Sequence, residues 1–147
     1  MLVKEFTKDK LRVKIYDSRQ AMGGGAAAEA TAYLKALLAE QPYVNIIFAA
    51  APSQNEFLAA MVTSDVDWSS VNAFHMDEYI GLKKDAPQGF GNFLRNAIFD
   101  KVPFKSIHYI NGEIAPDVAC QEYASLLEQN PVDDTVFGPE DAVSEEE

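Results

Sequence analysis

Hydrophobic positions along the chain follow two spacings, which predict strands and helices in turn. Residues 12–16 alternate apolar and polar side chains, the period of a half-buried strand. Residues 43–51 are almost wholly apolar, as expected for a strand buried on both faces of a parallel sheet. Similar runs predict further strands at residues 70–77, 106–110 and 132–137.

Helical spacing separates these strands. Ser18 is suited to cap a helix that continues to Glu40, although the glycines at 23–25 each lower helix propensity by ~1 kcal/mol relative to alanine. These glycines could instead form a phosphate loop, but such a loop directly follows a strand, and here they follow predicted helical residues. The run from Ser53 to Glu56 has the spacing of a capping box and begins a second helix. Two more helices are predicted over residues 90–100 and 116–129.

Alternation of strands and helices with short connections implies right-handed crossovers. We therefore predict an α/β fold, a three-layer open and mainly parallel sheet with helices on both faces. The length of 147 residues fits a single domain, which we place at residues 1–137. Residues 138–147 carry five acidic side chains and no basic one, and we expect them to form a disordered tail.

Charge and composition exclude several classes of partner. Twelve Lys and Arg stand against 23 Asp and Glu, giving a net charge of −11, whereas nucleic acids and anionic membranes are bound by basic surface. The longest apolar stretch, residues 46–52, is far shorter than the ~20 residues that cross a bilayer. We see no signal peptide, and the single cysteine, Cys120, allows no intramolecular disulfide. These features favour a cytoplasmic protein.

Two segments carry candidate chemistry, because ligands of open α/β sheets bind beyond the carboxyl ends of the strands. The turn at residues 52–55 leads from a buried strand into a helix, so the Ser53 hydroxyl and the amides of Gln54 and Asn55 could hold a phosphate. The alternative is that Ser53 only caps its helix. Asp77 ends a strand and could act as a base beside a bound sugar phosphate, or it could be a solvated loop acid. Its neighbour Glu78 is expected on the opposite side.

A resemblance strengthens the functional interpretation of both segments. Asn72-Ala-Phe-His-Met-Asp-Glu-Tyr-Ile-Gly-Leu82, followed by Gly91-Asn-Phe-Leu94 and Ile107-His-Tyr-Ile-Asn-Gly112, is similar to the glucosamine-6-phosphate deaminase (isomerase) family. The resemblance covers about residues 43–132, the N-terminal half of a family member. It implies conversion of glucosamine 6-phosphate to fructose 6-phosphate and ammonia, with Asp77 as the base that removes the C2 proton. It also implies that Ser53, Gln54 and Asn55 bind the phosphate of a hexose or hexosamine 6-phosphate.

The sequence departs from the family pattern in two places. The family's phosphate loop has a Thr-Gly-Gly-Thr-like run, where this chain has Ala51-Pro-Ser-Gln-Asn-Glu56. The family continues with a glycine-rich segment that carries a ring-opening histidine, and residues 139–147 do not match it. We therefore expect the chain to be inactive alone. The alternative function is a sugar-phosphate-binding module without catalysis, and an unfinished sheet would favour a homo-oligomer.

The remaining candidates do not indicate a cofactor or a metal ion. His75 could adjust the Asp77 carboxylate, but a hydrogen-bonded core histidine is the interpretation we prefer, as for His108. Two separated histidines and one cysteine do not make a zinc site, and residues 65–70 lack the later ligands of a calcium loop. Cys120 is expected to be a small buried apolar group.

Overall fold

The computed structural model describes residues 1–136, so Phe137 and the predicted tail lie outside the described residues. The regular elements, in chain order, are β1 (Leu2–Lys8), β2 (Leu11–Tyr16), α1 (Arg19–Glu40), β3 (Val44–Phe48), a 3₁₀ turn (Pro52–Gln54), α2 (Asn55–Val62), a second 3₁₀ turn (Trp68–Ser70), β4 (Val71–His75), α3 (Phe90–Leu94) with a π-helical continuation (Arg95–Phe99), β5 (Ser106–Ile107), α4 (Pro116–Gln129) and β6 (Asp134–Val136).

Four strands form one parallel sheet in the order β5-β4-β3-β6. Helices α2 and α3 follow the steps from β3 to β4 and from β4 to β5, while α4 returns the chain across the sheet to β6. Because such crossovers are right-handed, these opposite directions place α4 on the other face from α2 and α3. The predicted three-layer α/β architecture is confirmed.

The main core lies between the sheet and helices α1 to α3. Leu58 and Met61 of α2 and Leu94 of α3 are at most 1 % exposed. Phe48 of β3 packs edge-on against Phe99, with 5.5 Å between ring centroids. Full burial of each such side chain contributes ~1.5–3 kcal/mol, so this layer is a main source of stability. On the opposite face, α4 has no fully buried residue.

Helix α1 has the predicted extent, and only part of its apolar spacing faces the core. The Ser18 hydroxyl accepts a hydrogen bond from the Ala21 amide, 3.2 Å away, and so caps the helix as predicted. Gly23, Ala27 and Leu34 are buried, whereas the apolar positions Ala28 and Ala32 are exposed. The glycines at 23–25 lie within the helix, as the capping prediction required.

An antiparallel hairpin of β1 and β2 precedes the parallel sheet as a separate two-stranded sheet. The sequence predicted β2 but missed β1. One face of the hairpin lies on α1, where Lys14 pairs with Glu29 and the Tyr16 ring lies against Gly25. The other face leaves large apolar side chains exposed, among them Phe6, Leu11 and Ile15.

Candidate functional site

The structure brings the two predicted site segments to the same edge of the sheet. β3 and β4 are parallel neighbours, and their last residues, Phe48 and His75, pair with each other. The turn at residues 52–55 follows β3, and Asp77 follows β4 two residues after His75. Asp77 is exposed at this edge and does not lie in the apolar interior. Register therefore places the turn and Asp77 beyond the carboxyl ends of adjacent strands.

The turn itself differs from the predicted helix start. Pro52 begins a 3₁₀ turn after extended Ala51, and the α-helix begins only at Asn55, with no side-chain cap from Gln54. The Gln54 amide donates to the Ala51 carbonyl at 2.9 Å, and the Asn55 amide donates to the Pro52 carbonyl. Both amides expected to hold phosphate are thus engaged within the turn. The three side chains differ in exposure: Ser53 is half-buried, Gln54 is buried and Asn55 is exposed.

Arg19, which the sequence analysis missed, lies against this turn. Its Nη2 donates to the Pro52 carbonyl at 3.1 Å, and its guanidinium forms two bonds with the Glu56 carboxylate, at 3.0 and 2.9 Å. This fork-to-fork pair lowers the pKa of Glu56 and raises that of Arg19. Glu56 is therefore paired with Arg19 of α1, and α2 begins at Asn55, two residues after the predicted start at Ser53. Arg19 braces the turn from α1.

Glu78 is a structural anchor for the loop that carries Asp77. Its Oε1 accepts from the amides of Tyr79 and Phe90, both at 3.0 Å, and its Oε2 accepts from the Gly91 amide at 2.9 Å. Phe90 and Gly91 begin α3, so the carboxylate satisfies amides that have no partner inside the helix. A Cβ at Gly91 would lie 3.3 Å from Glu78 Oε2, so a glycine keeps this approach open. These contacts support the prediction that Glu78 does not form a catalytic carboxylate pair with Asp77.

Strands β4 and β5 separate at this edge, which is why β5 ends at Ile107 and not at the predicted Ile110. The Tyr123 hydroxyl of α4 occupies the gap: it accepts from the His75 amide and donates to the His108 carbonyl, both at 2.9 Å. Burial raises the pKa of Tyr123 far above its usual value, so the hydroxyl keeps the proton it donates.

The secondary candidates are structural. His75 is 1 % exposed, and both ring nitrogens are hydrogen-bonded, which confirms the core-histidine interpretation. The half-buried His108 ring stacks on Phe74, with 4.7 Å between centroids, and its Nε2 lies 3.1 Å from Ser106 Oγ. Burial lowers the pKa of both histidines. Cys120 is exposed, so its predicted burial is wrong. Within residues 1–136, no group of three His, Cys, Asp or Glu side chains could hold a metal ion.

A cavity of about 220 Å³ opens beside this edge, between the loops that follow β4 and β5. Its wall includes Lys83, Arg95 and Tyr109, with the Arg95 guanidinium 4.8 Å from the Tyr109 ring centroid. Asp77 and residues 52–55 do not line it. The predicted site is therefore an open sheet edge distinct from this cavity.

Across the described part of the chain, every helix is too short or too polar to cross a membrane.

Solved structures define the fold class. The chain matches a 6-phosphogluconolactonase from Thermotoga maritima with a TM-score of 0.68 at 15% identity, over 78% of this chain and 52% of that one. It matches a monomeric glucosamine-6-phosphate deaminase of the NagB superfamily with a TM-score of 0.67 at 17% identity, over 78% and 48%. The fold is therefore that of the NagB and 6-phosphogluconolactonase structures, seen over part of their length.

Sequence comparison adds the particular relatives. Glucosamine-6-phosphate deaminase of Streptococcus sanguinis is 34% identical over 122 residues, which cover 81% of this chain and 49% of the relative. That of Lactobacillus helveticus is 38% identical over 79 residues, 52% of this chain and 33% of the relative. No family model matches. The predicted resemblance to the glucosamine-6-phosphate deaminase family is confirmed, and the chain spans half or less of the length of these relatives.

Proposed function

We propose that this chain binds a hexosamine or hexose 6-phosphate at the carboxyl edge of β3 and β4, and that Asp77 is the base of a glucosamine-6-phosphate deaminase reaction. The proposal depends on one observation above all: Asp77 and the turn at 52–55 follow two paired strands of a parallel sheet. The region of similarity to named deaminases supports the same assignment. A sugar phosphate could then place its phosphate at one segment and its C1 and C2 carbons at the other.

The chemistry assigned to Asp77 is a proton transfer between adjacent carbons. In the open-chain amino sugar, the carboxylate takes the C2 proton, the C2–H electrons form a C1=C2 bond, and the C1 oxygen takes up the charge. Return of the proton to C1 leaves an imine at C2, and water then releases ammonia and fructose 6-phosphate. A carboxylate beside the substrate suits this step because a positioned base contributes ~10²–10⁴ in rate. The exposed position of Asp77 is compatible with direct access to substrate.

The phosphate is assigned to the turn of Ser53, Gln54 and Asn55. Because the Gln54 and Asn55 amides are engaged within the turn, we assign the contact to the Ser53 hydroxyl and the Asn55 carboxamide, with buried Gln54 shaping the wall. Arg19 contributes a cation next to this turn, although its guanidinium is paired with Glu56. The phosphate would therefore be bound by neutral hydrogen-bond donors, with the Arg19–Glu56 ion pair next to the turn.

A partial reaction tests this proposal without ring opening. Fructose 6-phosphate reaches its open-chain keto form spontaneously in solution. The same base can remove a C1 proton from that form, giving an enediolate that takes a deuteron back from D2O. We expect the purified chain to accelerate loss of the C1 proton signal of fructose 6-phosphate in proton NMR, and to leave unphosphorylated fructose unchanged. Ammonia release from glucosamine 6-phosphate also needs ring opening, so we expect the chain alone not to release it.

The outcomes separate the two functions considered. Binding of fructose 6-phosphate by calorimetry without C1 exchange would favour the binding module over the enzyme. Equal exchange with unphosphorylated fructose would show that the proposed phosphate site does not contribute. Absence of both binding and exchange would overturn the whole proposal. At present the module is not favoured, because the similar curated proteins carry the name of a deaminase.

We also propose that the protein is a cytoplasmic hydrolase that assembles with itself. The support for assembly is the outer hairpin face, where Leu11 and Ile15 are 65% and 44% exposed, and the absence of a fully buried residue in α4. Both are apolar or thinly covered surfaces that a second copy could bury. Light scattering should then give a molar mass above the 16.2 kDa of one chain, and a monomeric mass would contradict assembly.

A further inference from the structure

The His75 side chain joins the loops that follow β4 and β5 where they begin. Past Ile107 the ladder between β4 and β5 ends, and the chains that follow diverge toward Asp77 on one side and Ile110 on the other. The His75 imidazole lies between them, 1 % exposed. Its Nδ1 is 3.0 Å from the Asp77 carbonyl oxygen, and its Nε2 is 3.0 Å from the Ile110 amide nitrogen.

These two partners fix the protonation of the ring. A carbonyl oxygen can only accept a hydrogen bond, so Nδ1 must carry the proton that binds Asp77. A backbone amide can only donate, so Nε2 must present its lone pair to Ile110. The imidazole is therefore neutral and in its Nδ1–H form. Protonation of Nε2 would set two N–H groups against each other, and burial lowers the pKa of His75, which keeps the ring neutral.

We infer that His75 is a positioning residue for Asp77: its neutral Nδ1–H imidazole ties the main chain of Asp77 to that of Ile110 and so helps to fix the carboxyl-bearing residue at the sheet edge. The inference rests on the proposed role of Asp77 as the base. The ring is held in turn by its own strand and by aromatic neighbours, with Tyr109 and Tyr123 rings 6.1 and 6.2 Å away. The acidic groups facing it are Asp77 itself and Glu78.

The bond from His75 can position Asp77 because Asp77 lies beyond the end of β4, where strand pairing no longer fixes the backbone. Strand pairing fixes the backbone up to His75, and Glu78 is fixed by the amides of α3. Between these two anchors stand only Met76 and Asp77, both exposed. A bond to the Asp77 carbonyl removes freedom at the residue whose carboxylate must meet the substrate carbon, and small displacements of a reacting group can cost up to about 10² in rate.

Two variants at position 75 separate positioning from a general effect on folding. His75→Phe keeps an aromatic ring but loses both bonds, whereas His75→Asn places an N–H group near the former Nδ1. In the fructose 6-phosphate exchange assay we expect His75→Phe to lower the rate at saturating substrate at least tenfold with the dissociation constant within twofold. We expect His75→Asn to retain the rate within about threefold. His108→Gln, which alters the histidine that follows β5, should leave the rate unchanged.

Nitrogen NMR of the intact chain tests the same inference independently of catalysis. A protonated Nδ1 and a bare Nε2 at neutral pH are expected, together with at least tenfold faster amide hydrogen exchange at Ile110 and a lower heteronuclear NOE at Asp77 in His75→Phe. If these NMR results hold and the wild type shows no C1 exchange, the proposed function fails while the His75 tie stands. A protonated Nε2, unchanged Ile110 and Asp77 in His75→Phe, or equal rate losses in Phe and Asn variants would overturn the inference.

Discussion

Asp77→Asn is expected to slow C1 exchange of fructose 6-phosphate by about 10²–10⁴, the usual contribution of a positioned general base. The amide has nearly the shape of the carboxylate but cannot take a proton at neutral pH. Urea unfolding of Asp77→Asn should show that the variant is folded under the conditions of the exchange assay. Affinity for fructose 6-phosphate should change little, since the phosphate is assigned to the turn at residues 52–55.

Asp85→Asn is the matched control for this variant. Asp85 is an exposed acid in the loop that follows β4, so its removal changes the net charge by the same amount without touching the proposed base. We expect it to keep the wild-type exchange rate. An Asp77→Asn rate within threefold of wild type would remove Asp77 from the mechanism, and an equal loss in both variants would show a charge effect in place of base catalysis.

Two adjacent glycines of α1 should respond to alanine in opposite directions. A Cβ at Gly23 would lie 2.6 Å from Glu56 Cβ and 2.8 Å from the Phe57 backbone nitrogen, distances that backbone atoms cannot relieve without moving α2. Overpacking of this kind costs about 1–3 kcal/mol or more, against a gain of up to ~1 kcal/mol in helix propensity. We expect Gly23→Ala to lower the free energy of unfolding by about 2 kcal/mol. Gly24 has no atom within 4 Å of its would-be Cβ, so Gly24→Ala should raise it by about 0.5–1 kcal/mol.

Urea unfolding of both variants measures these changes. An unchanged dependence of the free energy on urea concentration would show that unfolding stays two-state. Since Glu56 directly follows the turn at 52–55 and bonds Arg19, displacement of α2 by Gly23→Ala should also weaken fructose 6-phosphate binding. Gly24→Ala should not. Equal stability of the two variants would contradict the close packing of α1 on α2 and the support it gives to the turn.

The sequence predicted elements whose signals are local. Ser18 and the apolar spacing that follows it gave the start and end of α1, and the run after Pro116 gave α4 with its observed bounds. The buried run at 43–51 and the segment at 70–77 were correctly predicted as parallel strands, because strands covered on both faces are nearly continuous in apolar residues. β1 was missed because its alternation includes charged residues on both faces of an exposed hairpin.

Features set by contacts between distant segments were not accessible from the sequence. The face of α1 depends on Gly23 meeting α2, which no periodicity encodes, and the apolar positions Ala28 and Ala32 are exposed. The early end of β5 depends on a hydroxyl that reaches from α4, about 15 residues later in the chain. The same holds for Arg19, which meets a partner 37 positions away, and for Glu78, whose carboxylate accepts hydrogen bonds from amides at the start of α3.

The site was predictable to a similar degree. Placing Asp77 and residues 52–55 at one edge needed only parallel strand order, and the observed register agrees with that placement. The donors of the turn were not predictable, because whether the Gln54 and Asn55 amides close a 3₁₀ turn depends on the backbone that Pro52 begins. The roles of Asp77, Ser53, Gln54 and Asn55 therefore stay proposals that ligand experiments must test.

The direct measurement is a titration of the isotopically labelled chain with fructose 6-phosphate, followed through its backbone amide resonances. If a hexose spans the turn at 52–55 and the loop of Asp77, saturable shifts should concentrate at residues 53–55 and around 77. The turn between β1 and β2 at residues 9–10, at the far end of these strands from Arg19, should show none. Inorganic phosphate should reproduce the shifts at 53–55 only. Shifts centred on the cavity walled by Lys83 and Arg95, or none at either segment, would contradict the account.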